Sequence, residues 1–374
     1  MRLKGRPVNH LALMVVSCTT FILLYTFSVP ADREQEELVC KRWLHFFSRS
    51  PEAMITHSKA KCQKLRRIFA TLSVNKTINE RSIMRNAVEL QRCPWLGNRK
   101  KKEFYRSEIN QCCKTSHELI LTQENTQVGE DIVYETQKSK KINVTTKIFN
   151  MFPKESPFSG KAYKTCAVVG NGAILVDSCC GQQIDQAEFV FRFNLPPLNY
   201  TRDAGRRVDL VTANPSIMIN RFQSLNQRRK AFGNTLREYQ GALILMAAFS
   251  HTRSTQVAFK VQYTLDDFGL GSRMLSFHPV YLENLAKYWR SKGLYVKRLS
   301  SGIMLVSAAM ELCDSITLYG FWPFYSNLEG RTIGYHYYDK MAPNIQVHAM
   351  PKEFLIYSQM HAQGALKLQV GQCS

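Results

Sequence analysis

From residue 166 onward the apolar positions form short unbroken runs: CAVV at 166–169, FVF at 189–191, ALILMAAF at 242–249 and MLSF at 274–277. The first is followed by Gly170 and the third lies between Gly241 and Ser250, and the stretches between the runs carry helical periodicity. Runs of this kind predict strands buried on both faces, and their alternation with helices predicts an α/β fold with a mostly parallel sheet flanked by helices. VDLVTANPS (208–216) reads as a further strand ending at Asn214-Pro215. RLSSGIMLVSAAMELC (298–313) reads as a turn entering an apolar helix, and SITLYGFWPF (315–324) as the strand that follows. Ligands of such sheets bind at the carboxyl ends of the strands. Asn171, Asn194, Asn214, the Ser300-Ser301-Gly302 turn and Trp322 are therefore expected at one edge.

The pattern differs before Phe158. From Ala31 the chain is charged, helix-prone in pieces and poor in long apolar runs, which predicts a stem leading into an accessory region of the domain. Arg99 to Lys102 (RKKK) reads as a solvated face. Further upstream, Leu11 to Val29 is uncharged and preceded by Arg2, Lys4 and Arg6. As a helix it would reach ~28 Å, enough to span a bilayer core, and the flanking basic residues would hold the short tail in the cytosol. The expected organisation is a tail at 1–10, a signal-anchor at 11–29 and a lumenal remainder, divided by the resemblance given below into a stem at 30–104 and a catalytic domain at 105–374.

Composition adds the compartment. The 374 residues carry a formal net charge of +21, yet no zinc-finger spacing, basic helix or RNP-like motif organises the Lys and Arg, so nucleic acid is not an expected partner. Ten of the eleven cysteines lie beyond the apolar segment, an even number that predicts disulfides in an oxidising lumen. The adjacent pairs Cys112-Cys113 and Cys179-Cys180 read as separate bridge ends, and no spacing suits zinc. Asn75, Asn143 and Asn199 begin glycosylation sequons.

CAVVGNGAILVDSCCGQQIDQAEFVFRFNLPP (166–197) reads as strand, glycine turn, helix, strand, in which the Gly and Asn residues allow close approach to a ligand and the helix offers N–H groups to an anion. A dinucleotide fingerprint is not satisfied: the second strand ends in Asn194 rather than an acid, and Leu175 stands where the third glycine belongs. There is also no G-x-x-x-x-G-K-[ST] and no D-x-D pair to hold a metal on a nucleoside diphosphate. What fits is a nucleotide of low phosphate charge, bound with no metal and no cofactor.

Four stretches together carry a family resemblance. Cys166 to Pro197 resembles the large sialylmotif of the animal sialyltransferases (glycosyltransferase family 29), and Leu299 to Gly320 the small one. His336-Tyr337-Tyr338-Asp339 is similar to motif III and His348-Ala349-Met350-Pro351-Lys352-Glu353 to the very small motif, in the family's order. RLSSG, YGFWPF, HYYD and HAMP-x-E are nearest to the α2,8 branch and its ganglioside-type members.

The resemblance implies a variant GT-A (Rossmann-like) fold, a Golgi type II membrane protein, and metal-free transfer of sialic acid with inversion from CMP-sialic acid to a sialylated glycolipid or glycoprotein. By position it implies CMP contacts at Asn171 and Asn194, and donor contacts at Ser300, Ser301 and Gly302. Trp322 would line the pocket, with Tyr335 and His336 near the phosphate. His348 would be the general base and His336 would stabilise the leaving group, tasks that suit an imidazole. It further implies disulfides Cys166–Cys313 and Cys180–Cys373, and it is compatible with association with itself or with other Golgi transferases.

The chain departs from the family pattern at Ala173, Phe193, Cys179, Ser301, Tyr335 and Lys340, none of which removes the proposed base or asparagines. The alternative reading is an inactive relative that binds sialylated glycans or partner transferases. The acceptor and the number of residues added are not legible in the sequence.

Overall fold

A computed structural model describes residues 57–327, 330–339 and 348–373. The expected tail and membrane segment, with Cys40 and Lys340, lie outside these residues. Among the described residues no helix is long and apolar enough to cross a membrane. Strands β1 (Asp131–Val133) and β2 (Lys141–Asn143) pair antiparallel as a separate hairpin. The remaining seven are β3 (Tyr163–Val169), β4 (Phe189–Arg192), β5 (Leu210–Thr212), β6 (Leu243–Met246), β7 (Arg273–Ser276), β8 (Cys313–Tyr319) and β9 (Lys367–Gln369). They form one sheet in the order β7-β6-β5-β4-β3-β8-β9, parallel at every pairing.

The continuous apolar runs arise because both faces of this sheet are covered. Cys166 and Val168 of β3 enter one apolar cluster, and Ala167 and Val169 enter another on the opposite face. Among the described residues, helices of eight residues or more are α1 (Lys59–Thr71), α2 (Glu80–Gln91), α3 (Arg99–Cys113), α4 (Arg229–Leu236), α5 (Thr252–Asp267), α6 (Pro279–Ser291), α7 (Ser301–Leu312) and α8 (Met350–Ala362). Ser58, Asn79 and Asn98 start the first three by accepting a hydrogen bond from the backbone N–H three residues on.

Part of the stretch expected as stem packs with the sheet. α1 and α2 send Cys62, Leu65, Phe69, Ile83, Ala87 and Leu90 into the same cluster as the strands, and residues 55–374 form one unit. These helices are charged on their other faces, which is why they read as stem. The RKKK stretch is likewise not wholly solvated: Lys102 is 7 % exposed and lies 3.6 Å from Asp314.

Four disulfides are formed within the described chain: Cys62–Cys93, Cys112–Cys113, Cys166–Cys313 and Cys180–Cys373. The adjacent Cys112 and Cys113 are joined to each other, contrary to the expectation of separate bridge ends. Cys179 is also disulfide-bonded, apart from Cys180. Cys166–Cys313 ties β3 to the start of β8, the two strands at the centre of the candidate site.

Candidate functional site

Strand order reverses between β3 and β8: β4 to β7 follow on one side of β3, while β8 and β9 lie on the other. Such a switch point opens a crevice at the carboxyl ends of the two strands. Here the ends are drawn together, with Gly170 N donating to Tyr319 O at 2.7 Å and Gly172 N to Gly320 O at 2.9 Å. A Cβ on Gly170 or Gly172 would stand 2.7 or 2.5 Å from the Gly320 carbonyl. The glycines are thus required by backbone meeting backbone. The helix expected directly after them is a 3₁₀ turn at Ala173–Leu175, with only Gly181–Asp185 helical further on, so no helix N-terminus faces an anion at this turn.

Asn171 and His336 meet above the turn. Residues Gly172 and His336 form an antiparallel bridge, and Tyr337 N donates to Asn171 O at 2.9 Å. The Asn171 side chain donates from Nδ2 to Phe193 O at 2.8 Å and to the Tyr338 hydroxyl at 3.3 Å. Its Oδ1 is a buried acceptor with no partner, an arrangement that native proteins keep for a ligand or water. Asn194, at the end of β4, adopts φ +60° and accepts through Oδ1 from Asn214 N at 3.2 Å. The side-chain amide of Asn194 has no partner among the described residues. His336 is stacked on Tyr338 at 5.1 Å and lies against Tyr335 at 4.5 Å. Its Nδ1 is 2.8 Å from Asp339 Oδ2; a carboxylate only accepts, so Nδ1 carries a proton and Nε2 is the atom left to act.

The second wall is the N-terminus of α7. Ser300 caps it, accepting from Ile303 N at 3.2 Å. Its hydroxyl also donates to Glu353 Oε2, and its N–H donates to Glu353 Oε1 at 3.2 Å. Ser300 is 2 % exposed, so its side chain is committed to the cap and to Glu353 rather than open to a ligand, which corrects its expected donor contact. Ser301 and Gly302 are partly exposed, and their N–H groups have no partner among the described residues. An N-terminus of this kind suits an anion.

His348 stands beside the entry to α7, its Nδ1 3.2 Å from the carbonyl of Arg298. A carbonyl only accepts, so Nδ1 is protonated and the lone pair sits on Nε2. Burial holds this imidazole below the usual histidine value.

A family model described as "Glycosyltransferase family 29 (sialyltransferase)" matches residues 120–365. The chain belongs to glycosyltransferase family 29. It is 39 % identical to Alpha-2,8-sialyltransferase 8E of Rattus norvegicus, covering 95 % of this chain and 94 % of that one. It is 44 % identical to the Alpha-N-acetylneuraminide alpha-2,8-sialyltransferase of Xenopus tropicalis, over 75 % of this chain and 81 % of the relative. A crystal structure of a mammalian sialyltransferase superposes with TM-score 0.42 at 18 % identity, covering 86 % of this chain and 88 % of that chain.

Like Ser300, Trp322 is placed otherwise than expected, and one aromatic beside the site was missed. Trp322 is 5 % exposed, donates from its indole N–H to Ser326 O at 2.7 Å, and packs edge-on against Phe324 and Phe354. It is a core residue and not a pocket wall. Phe321 is the aromatic that joins the two walls: its ring is edge-on to Phe193 at 5.9 Å and to Tyr357 at 5.1 Å. It also lies 3.3 Å and 3.2 Å from where Cβ atoms of Gly170 and Gly302 would stand. The positive φ of Gly320 (+68°) resets the facing after β8, so strand alternation could not reveal which aromatic points where. The three sequon asparagines are exposed.

Proposed function

We propose that the chain is an α2,8-sialyltransferase, transferring sialic acid with inversion from CMP-sialic acid to the sialylated end of a glycolipid or glycoprotein glycan, without a metal ion. The observation that carries this reading is the pair of partly buried histidines, one bridged to Gly172 at the switch point and one beside the entry to α7, each tied through Nδ1 so that Nε2 is the atom left to act. The naming of its relatives supports the linkage.

In this reading the acceptor hydroxyl attacks the anomeric carbon as the bond to the CMP phosphate breaks. The hydroxyl proton passes to Nε2 of His348, whose lowered basicity keeps it unprotonated and available. The phosphate that departs accepts from an N–H at Nε2 of His336, whose Nδ1–H is held by Asp339, and from the N–H groups of Ser301 and Gly302, which are in place before the reaction. Asn171 Oδ1 and the amide of Asn194 serve the nucleotide, with Tyr335 packed behind His336. The variant GT-A frame, the signal-anchor at 11–29 and a Golgi lumenal catalytic body are part of the same proposal, supported by exposed sequons and several disulfides.

The test is incubation of the full-length protein in detergent with CMP-sialic acid and a panel of gangliosides, sialylated glycoproteins and free sialyl-oligosaccharides, followed by linkage analysis. Transfer in α2,8 linkage to at least one acceptor is expected. No transfer to any of them, or another linkage, overturns the proposal.

A further inference from the structure

Arg298 connects His348 to a segment outside the parallel sheet. While its carbonyl holds His348 Nδ1, its guanidinium is held by Glu135, with Nε 3.1 Å from Oε1 and Nη2 2.9 Å from Oε2. This is the two-pronged arrangement that fixes orientation as well as distance. The Glu135 side chain is 13 % exposed and that of Arg298 29 %, so neither is free to wander in solvent. Glu135 is itself fixed from behind. Its N–H donates to Phe249 O at 3.0 Å, Thr136 N to Ser250 O at 2.9 Å, and Thr252 N to Gln137 Oε1 at 3.1 Å. The stretch after β1 is thereby stitched to the loop that follows β6.

We infer that Glu135 is a positioning residue for His348, acting through Arg298 and touching neither donor nor acceptor. The inference rests on the proposed role of His348 as base. Residues 294–300, which lead into α7, form no helix or strand; Ser300 is tied to Glu353 on the far side of buried Leu299, and the grip on the Arg298 side chain is the tie on the near side. Releasing Arg298 has two effects on the imidazole. The carbonyl that fixes its tautomer and direction loosens, and the Arg298 charge is no longer neutralised. Arg298 is the one charged side chain that acts on His348 among the described residues. Loss of the carbonyl contact and a bare cation nearby both disfavour the imidazolium, so both lower its pKa. An ion pair of purely structural value would leave that titration where it was.

The experiment measures kcat, donor KM and the pH–rate profile of the full-length chain carrying Glu135→Ala or Glu135→Gln, each alone and combined with His348→Ala. Glu135→Ala is expected to lower kcat about tenfold to a hundredfold, as loss of alignment does, with donor KM changed less than about twofold. The acid limb of its profile moves to lower pH. Glu135→Gln, which still accepts from Arg298, recovers part of kcat. In the His348→Ala background Glu135→Ala causes no additional loss. An unmoved acid limb, an unchanged kcat, or an equal loss in both backgrounds overturns the inference. The isosteric Glu135→Gln carries the pH readout if the alanine variant is too unstable to assay. Full transfer by His348→Ala would instead remove the base assignment, and the inference with it. An inactive His348→Ala beside an unaffected Glu135→Ala removes the inference alone.

Discussion

Glu353 takes both the N–H and the hydroxyl of Ser300, a residue 53 positions earlier, and is 1 % exposed while doing so. Tyr357 donates to the same carboxyl at 3.4 Å. The contact fastens α8, which begins just after His348, to the cap of α7, where Ser301 and Gly302 offer their N–H groups.

Burial pushes the Glu353 carboxyl up from 4.5 to about 7, against the hydrogen bonds from Ser300 and Tyr357, which lower it. The folded state therefore binds this proton more tightly than the unfolded chain does. Its stabilisation is complete below pH 4.5 and is lost as pH rises through about 7. Thermal melts over that window should show Tm falling with pH in the parent and a flatter dependence in Glu353→Gln. Equal slopes would show that Glu353 does not titrate there.

His348 is expected to contribute about 10²–10⁴ to the rate as a general base. His348→Ala should lose turnover to that extent while binding CMP normally by calorimetry. Because burial lowers its pKa, the acid limb of kcat/KM should lie below the ordinary histidine range in the parent and vanish in the variant. A variant that transfers at the parent rate, or a limb at the ordinary value, contradicts the assignment.

Cys166–Cys313 closes a loop of 147 residues between neighbouring strands. A native bridge of this kind contributes roughly 2–5 kcal/mol. Replacing both cysteines by Ala should lower Tm substantially, and a non-reducing peptide map of the parent should contain the 166–313 cross-link. A map without it would reject the pairing.

Trp322 offers a test that separates core from pocket. With its ring packed on Phe324 and Phe354, Trp322→Ala should cost about 3–5 kcal/mol of stability, as large aromatic truncations in cores do. At a temperature where the variant is folded, donor KM should be close to that of the parent. A raised donor KM with unchanged stability would restore the pocket reading.

What the sequence disclosed and what it hid follow from burial. Strands such as 166–169 and 243–246 are covered on both faces and so announce themselves as continuous apolar runs. α1 and α2 each bury only three side chains, Cys62, Leu65 and Phe69 in one and Ile83, Ala87 and Leu90 in the other, and the charged remainder disguised them as stem. β1, β2 and β9 span three residues each and none is buried throughout, unlike the equally short β5, so no apolar run marks them. The motif residues Asn171, Asn194, His336 and His348 are named by the family resemblance of the stretches that hold them. The partners that orient them could not be named, because Asp339 aside they come from distant segments: Phe193 and Tyr338 for Asn171, Asn214 for Asn194, Arg298 for His348.

Gly172 and Gly271 make a matched pair of alanine substitutions. Neither has a positive φ, so alanine can adopt either backbone and only the available space differs. A Cβ at 172 would lie 2.5 Å from the Gly320 carbonyl, whereas one at 271 would meet nothing within 4 Å. Backbone cannot yield as a side chain can, so Gly172→Ala must force the ends of β3 and β8 apart. Overpacking of this sort costs about 1–3 kcal/mol. The displacement also reaches the chemistry, because Gly172 is bridged to His336 and its neighbour Asn171 accepts from Tyr337 N. Shifts of about 1 Å near reacting groups can cost about 10²-fold in rate. Gly172→Ala should therefore lose transfer as well as stability, while Gly271→Ala, on the loop before β7, should match the parent in both. Equal behaviour of the two variants in melts and in turnover would mean that the close approach of the two strand ends does not shape the site.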